Sequence, residues 1–173
     1  MVKVFGIGNI LLKDDGIGVR LARNIKRRVD KDNINEIEVF IGETDYLYCL
    51  ENINDDEFII ILDSTYFGIN PGEITFKKLE ECDKLISKEI TAHETSLLSL
   101  VRLEKTNVNG YFIGIEIDSI EYSLELSNIL QKRFNSIYDE VYEFIVKIAK
   151  ELYFLWRIVK LSATLSLFFV KCF

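Results

Sequence analysis

The sequence predicts an α/β fold, a three-layer αβα sandwich whose mostly parallel, twisted sheet carries helices on both faces. Three observations predict it. Short apolar runs of strand length alternate with segments of helical periodicity, the signature of parallel strands joined by crossover helices. The run Phe58-Ile59-Ile60-Ile61-Leu62 is apolar at every position, as a strand covered on both sides must be. No internal repeat and no linker interrupts the alternation, so the strands belong to one sheet.

Taken in order, Val2 to Ile7 is a short run rich in β-branched residues and reads as a buried strand. Gly6-Ile7-Gly8-Asn9 ends it. Ile17, Val19, Leu21, Ile25 and Val29 then mix with basic residues at helical spacing, predicting a helix over residues 17–29. Asp14 and Asp15 precede its first turn, where acids cap free N–H groups. Residues 36–41 alternate as a second strand. Gly42-Glu43-Thr44-Asp45 leads from it into a short helix, Tyr46 to Glu51. Residues 58–62 form the clearest strand, and Asp63 ends it. Asn70-Pro71-Gly72 is a turn signal, followed by an alternating strand over residues 73–78. A helix is predicted over residues 95–102, capped by Thr91 or Thr95. Residues 110–117 read as a strand and 119–126 as a loop. Apolar residues then recur at helical spacing from Asn128 to about Leu155.

At 173 residues the chain fits one domain, with residues 1–151 as the folded unit. Residues 152–173 differ in kind. Sixteen of these 22 residues are apolar, and they carry +3, leaving −10 on the other 151. The longest uncharged stretch after Lys160 is ten residues, against the roughly 18 to 20 needed to span a bilayer. No membrane association is expected. The net charge of −7 makes nucleic acid an unsuitable partner. Cys49, Cys82 and Cys172 form no Cys-x-x-Cys pair, which excludes a disulfide framework or a thiolate zinc site. The expected setting is a reducing cytoplasm, and the expected state a monomer. The apolar run at the N-terminus is too short for a signal peptide.

Ligands of open α/β sheets sit beyond the carboxyl ends of the strands. Asp14 and Asp15 follow the first strand, Asp63 ends the third, and His93, the single histidine, precedes a helix. Taken singly each has a plain reading: a helix cap, a loop hydrogen bond, a structural imidazole. Together two carboxylates and an imidazole suit a borderline divalent ion such as Ni²⁺, Zn²⁺ or Fe²⁺. Three protein ligands would leave positions for water or substrate. No Gly-x-Ser-x-Gly elbow is present, which argues against serine catalysis. A dinucleotide fingerprint fails as well, because Leu11 stands where its third glycine belongs.

The segment from Gly6 to Arg20, with its Gly-Ile-Gly-Asn turn, acidic pair and Gly16-Ile17-Gly18, closely resembles the opening of the nickel–iron hydrogenase maturation endopeptidases. Ile60-Ile61-Leu62-Asp63 resembles the strand ending in that family's metal-binding aspartate, and Asn70-Pro71-Gly72-Glu73 follows as expected. Thr91-Ala92-His93 matches the histidine ligand. Gly114-Ile115-Glu116 and Leu124-Glu125-Leu126-Ser127 match the last strand and loop. The resemblance covers roughly residues 1–150. It implies a cytoplasmic peptidase that removes a short C-terminal extension from a hydrogenase large-subunit precursor, after nickel insertion. It implies Asp15, Asp63 and His93 as the metal ligands and, through the metal, the catalytic set. The nickel would be carried in by the substrate. Asp15 stands where family members have Glu or Asp.

The family's Asp-Gly-Gly-Thr-like loop after the second strand is here Ile41-Gly42-Glu43-Thr44, one Asp and one Gly short. Gly42 and Thr44 are the implied substrate contacts, with Glu43 or Asp45 as replacement charge. Asp14 and Glu94 are candidate general bases. Two other readings stay open: a non-proteolytic nickel-binding checkpoint or chaperone for the same precursor, and a nucleotide-binding module.

Overall fold

The computed structural model describes residues 1–82 and 96–170, the last ten by backbone alone. Among the described residues five strands and four complete helices follow in the order β1 (Val2–Ile7), α1 (Ile17–Asp32), β2 (Ile37–Glu43), α2 (Tyr46–Glu51), β3 (Phe58–Thr65), β4 (Ile74–Lys78), α3 (Leu97–Glu104), β5 (Asn109–Glu116) and α4 (Asn128–Val170). A single 3-10 turn, Lys13–Gly16, links β1 to α1. The strand order is β2-β1-β3-β5-β4. All neighbours are parallel except β4, which lies antiparallel on the edge beside β5. The chain steps from β1 outward to β2, then crosses back to β3 on the other side. The reversal lies between β1 and β3.

The alternation of β side chains builds the layers. Val2, Val4, Ile60 and Leu62 point to one face and are fully buried beneath α1 and α4. Phe5, Ile7, Ile59 and Ile61 point to the other and pack under α2 and α3. Each such side chain contributes about 1.5–3 kcal/mol by leaving water. That is why the central strands carry no polar alternation. The predicted three-layer sandwich is therefore the one observed.

Several boundaries move, each for a local reason. β3 runs to Thr65 because β5 keeps pairing with it as far as Thr65↔Glu116, so Asp63 lies inside the strand rather than at its end. β2 extends to Glu43, where the β1 register shifts. α3 is capped by Ser96, whose hydroxyl accepts from the Ser99 amide. The predicted caps Thr91 and Thr95 lie outside the described residues. α4 continues well past Leu155. No Gly or Pro occurs between Asn128 and Val170 to stop it.

Among the described side chains the last of α4 packed on the core are Ile148, Ala149 and Leu152. Beyond them Phe154, Trp156 and Val159 are each more than half exposed. Among the described residues no helix is long and apolar enough to cross a membrane. Removing residues 156–173 is expected to leave the thermal unfolding midpoint within a few degrees. It should also lower the fluorescence of a hydrophobic dye, because the exposed Trp156, Ile158 and Val159 are lost. Differential scanning calorimetry and dye titration check both.

Candidate metal-reading site at the sheet edge

The geometry at the crossing point starts with glycines. Gly8 sits at φ +122°, and a Cβ there would lie 1.9 Å from the Asp15 carbonyl oxygen. The chain leaving β1 can fold back over the 3-10 turn only because this residue lacks a side chain. Gly18, in the first turn of α1, lies against the strands. A Cβ there would fall 2.4 Å from the Leu62 carbonyl oxygen and 2.6 Å from that of Ile7. The helix start is thus seated in the notch between β1 and β3.

This seating separates the acidic pair into two roles. Asp14 is fully buried. One of its oxygens accepts from the amides of Asp118 (3.1 Å) and Ser119 (3.2 Å), the other from Ser127 (2.7 Å). It ties the loop after β5 and the start of α4 to the 3-10 turn. Its carboxylate is enclosed by donors and closed to substrate, which removes it as a general base. Asp15 points the other way. It accepts from the Asn9 amide at 2.8 Å and from the Ser64 hydroxyl at 2.7 Å. Neither acid caps α1, whose N-cap is Gly16 without a side-chain bond.

Asp63 stands one residue beyond the last β1–β3 pair, Gly6↔Leu62. On its other side it is paired with Gly114 of β5. Its Oδ1 accepts from the Ser64 amide at 2.8 Å. Ser64 therefore joins the two carboxylates, donating its amide to Asp63 and its hydroxyl to Asp15. Burial pushes the Asp63 carboxyl up to about 7, the Asp15 charge adds to this, and the Ser64 amide opposes it. Tyr46, half-buried at the start of α2, is also pushed up, first by burial and then by the charges of Asp63 and Asp15. Its phenol lies within electrostatic reach of both carboxylates. The two carboxylates share Ser64 as donor, and the Asp15 charge disfavours ionisation of Asp63. Their oxygens suit a divalent ion that also accepts nitrogen ligands.

Among the described residues no third His, Cys, Asp or Glu joins the pair. His93, like Glu94, lies outside the described residues. Cys49 is buried, and burial, then Asp45, pushes its thiol up to about 12, so it is neither nucleophile nor ligand. The loop expected to replace a missing acid is otherwise engaged. Glu43 pairs with Arg23 at 2.6 Å, and Asp45 caps α2 by accepting from the Tyr48 amide. Gly42 is buried, with Cys49 Sγ 2.2 Å from where a Cβ would be. Thr44 is exposed.

Glu116 carries a function the sequence did not reveal. It is 1% exposed, and its oxygens accept from the amides of Phe67, Gly68 and Ile69 and from the Thr65 hydroxyl. It fixes the loop that follows Asp63. Ser64 and Tyr46 were missed too. A serine directly after a strand-terminal aspartate is the only sequence signal for the first. The Gly-x-Gly turn forms no phosphate cradle. Its Asn9 amide is bonded to Asp15, and a carboxylate stands where a phosphate would lie.

A family model described as hydrogenase maturation protease matches residues 19–144. The chain is 28% identical over 102 residues to the hydrogenase expression/formation protein HupD of Bradyrhizobium diazoefficiens, covering 58% of this chain and 52% of that protein. The chain spans about half the length of the HupD relatives it matches. It is 25% identical over 147 residues to the hydrogenase 2 maturation protease of Escherichia coli, covering 81% and 87%. The solved NiFe hydrogenase maturation protease HycI of Thermococcus kodakarensis shares the fold. Its TM-score is 0.66 at 21% identity, over 86% of this chain and 92% of that one.

The raised Asp63 carboxyl gives a signed expectation. In the metal-free fold Asp63 titrates at about 7 against the ordinary 3.8. Its favourable contribution is complete below the unfolded value and is lost as pH rises through the folded one. Asp63→Asn should therefore raise the unfolding midpoint of the metal-free protein by a few degrees at about pH 8 and leave it nearly unchanged at about pH 4. Thermal denaturation at the two pH values is the check.

Proposed function

Because this chain belongs to the hydrogenase maturation protease family, we propose that it is an endopeptidase that removes the C-terminal extension of a nickel-loaded hydrogenase large-subunit precursor. The observation that carries the reading is the Asp15–Ser64–Asp63 bridge at the point where the strand order reverses. Asp15 and Asp63 supply oxygen ligands and His93 a nitrogen ligand to the nickel that the precursor brings. The ion is cargo of the substrate, held on the precursor's side by its own ligands. Held by these residues, the ion would position the scissile peptide and would supply Lewis-acid assistance or an activated water to its cleavage.

The chain's own residues provide the rest. Ser64 holds both carboxylates in place, so neither rotates away when the ion arrives. Ion binding draws the proton from Asp63, which burial otherwise retains near neutrality. Tyr46 stays neutral beside them and offers a hydroxyl to a substrate oxygen. The turn after β2 presents exposed Thr44 rather than buried Gly42 to the incoming chain. Cytoplasmic action fits the buried thiol of Cys49.

Incubating purified nickel-loaded precursor with the protein, followed by intact mass measurement, tests the proposal. The wild type should shorten the precursor by one defined C-terminal fragment. Lewis-acid assistance is worth several kcal/mol, so Asp63→Asn and His93→Ala should each slow trimming by about a hundredfold or more. An unshortened precursor that still forms a stable complex would instead favour a checkpoint protein that binds without cutting.

A further inference from the structure

We propose that the groove between α1 and α4 is a docking site for an acidic, extended segment of the precursor, next to the cutting site. The proposal rests on the peptidase reading above for the identity of the partner.

One face of α1 carries Arg20, Arg23, Arg27, Arg28 and Lys31, and these five line a continuous groove against the first turns of α4. No Asp or Glu lines it. Arg28 is paired with Asp32 and Arg23 with Glu43. Arg27 and Lys31 make no ion pair among the described residues. A chain of net charge −7 gathers five of its 21 basic side chains here. The field in the groove is therefore opposite to that of the molecule as a whole, and it attracts an anionic partner locally. A nucleic acid would meet repulsion from the rest of the surface. The groove also has no glycine among its lining residues, so it lacks the glycine loop that cradles a phosphate.

Spacing selects an extended peptide. Arg20, Arg27 and Lys31 follow one another along the helix at a rise of 1.5 Å per residue, about 16 Å from first to last. An extended chain covers that distance in about five residues, with alternate side chains on one side. Acids at alternate positions would each meet a basic side chain. Asn24, Gln131 and Asn135 line the same groove and offer amides to a peptide backbone.

The groove leads to the site. At its upper end Arg20 donates to the Leu124 carbonyl, fixing the loop after β5. That loop pairs with the one before Asp14 through the Leu12–Ser123 bridge. A segment lying along α1 would thus leave the groove beside the loop held by Asp14, the chain neighbour of Asp15.

Two measurements test this. The first is fluorescence polarisation with a labelled peptide of about eight residues bearing Glu at alternate positions, beside the same peptide with Gln. The Glu peptide should bind, and its affinity should fall about tenfold in Arg27→Glu/Lys31→Glu and on raising salt. The second is trimming kinetics of the precursor. The double variant should raise KM about tenfold, with kcat changed less than about twofold. Equal binding of the Glu and Gln peptides, or an unchanged KM, overturns the proposal. If the wild type itself fails to trim, the peptidase reading falls, and the peptide measurement alone decides the groove.

Discussion

The molecule depends on how closely the first turn of α1 approaches the sheet. Gly18 brings the helix backbone against the carbonyl oxygens of Ile7 and Leu62, a distance no side chain tolerates. From that contact the rest follows. The 3-10 turn before α1 is pressed over the end of β1, and Gly8 lets the chain fold back beneath it. Asp14 is driven into the interior, where three backbone amides meet it. Asp15 is turned toward β3, where Ser64 meets it. One packing constraint thus assigns two adjacent, chemically identical residues to opposite tasks.

The two tasks differ in energetic character. Asp14 has a donor on each oxygen, and its burial ties the loop after β5 and α4 to the centre of the molecule. Glu116 does the same for the loop after β3. Asp63 is the opposite case. Burial and the Asp15 charge both work against its ionised form, and one amide is too little to offset them. Carboxyls perturbed in this way cluster at functional sites. Asp14 and Glu116 are marked as structural acids by the loops whose amides they gather.

Much of this was legible beforehand. The apolar run 58–62 and the helical spacing after Asn128 gave the layers, because burial on both faces leaves an unambiguous pattern. The sheet-edge location of Asp15 and Asp63 followed from their places after and at the end of predicted strands. The rest depended on tertiary contacts with no local signature. Whether Asp14 or Asp15 faced the site was decided by which side of the turn packs inward. The capping expected of both acids lost to longer-range amides. The α3 cap passed to Ser96, and Tyr46 and Ser64 entered the site only because β2, β3 and α2 converge there. The loop acids Glu43 and Asp45 looked available in sequence but are taken by Arg23 and the Tyr48 amide.

The central claim is that these two carboxylates take hold of the precursor's nickel. X-ray absorption at the nickel edge tests it most directly, on the loaded precursor alone and in complex with this protein. The account predicts additional oxygen and nitrogen scatterers around nickel in the complex, lost when Asp15 and Asp63 are both replaced by Ala. A nickel shell identical in the free and bound precursor would contradict it.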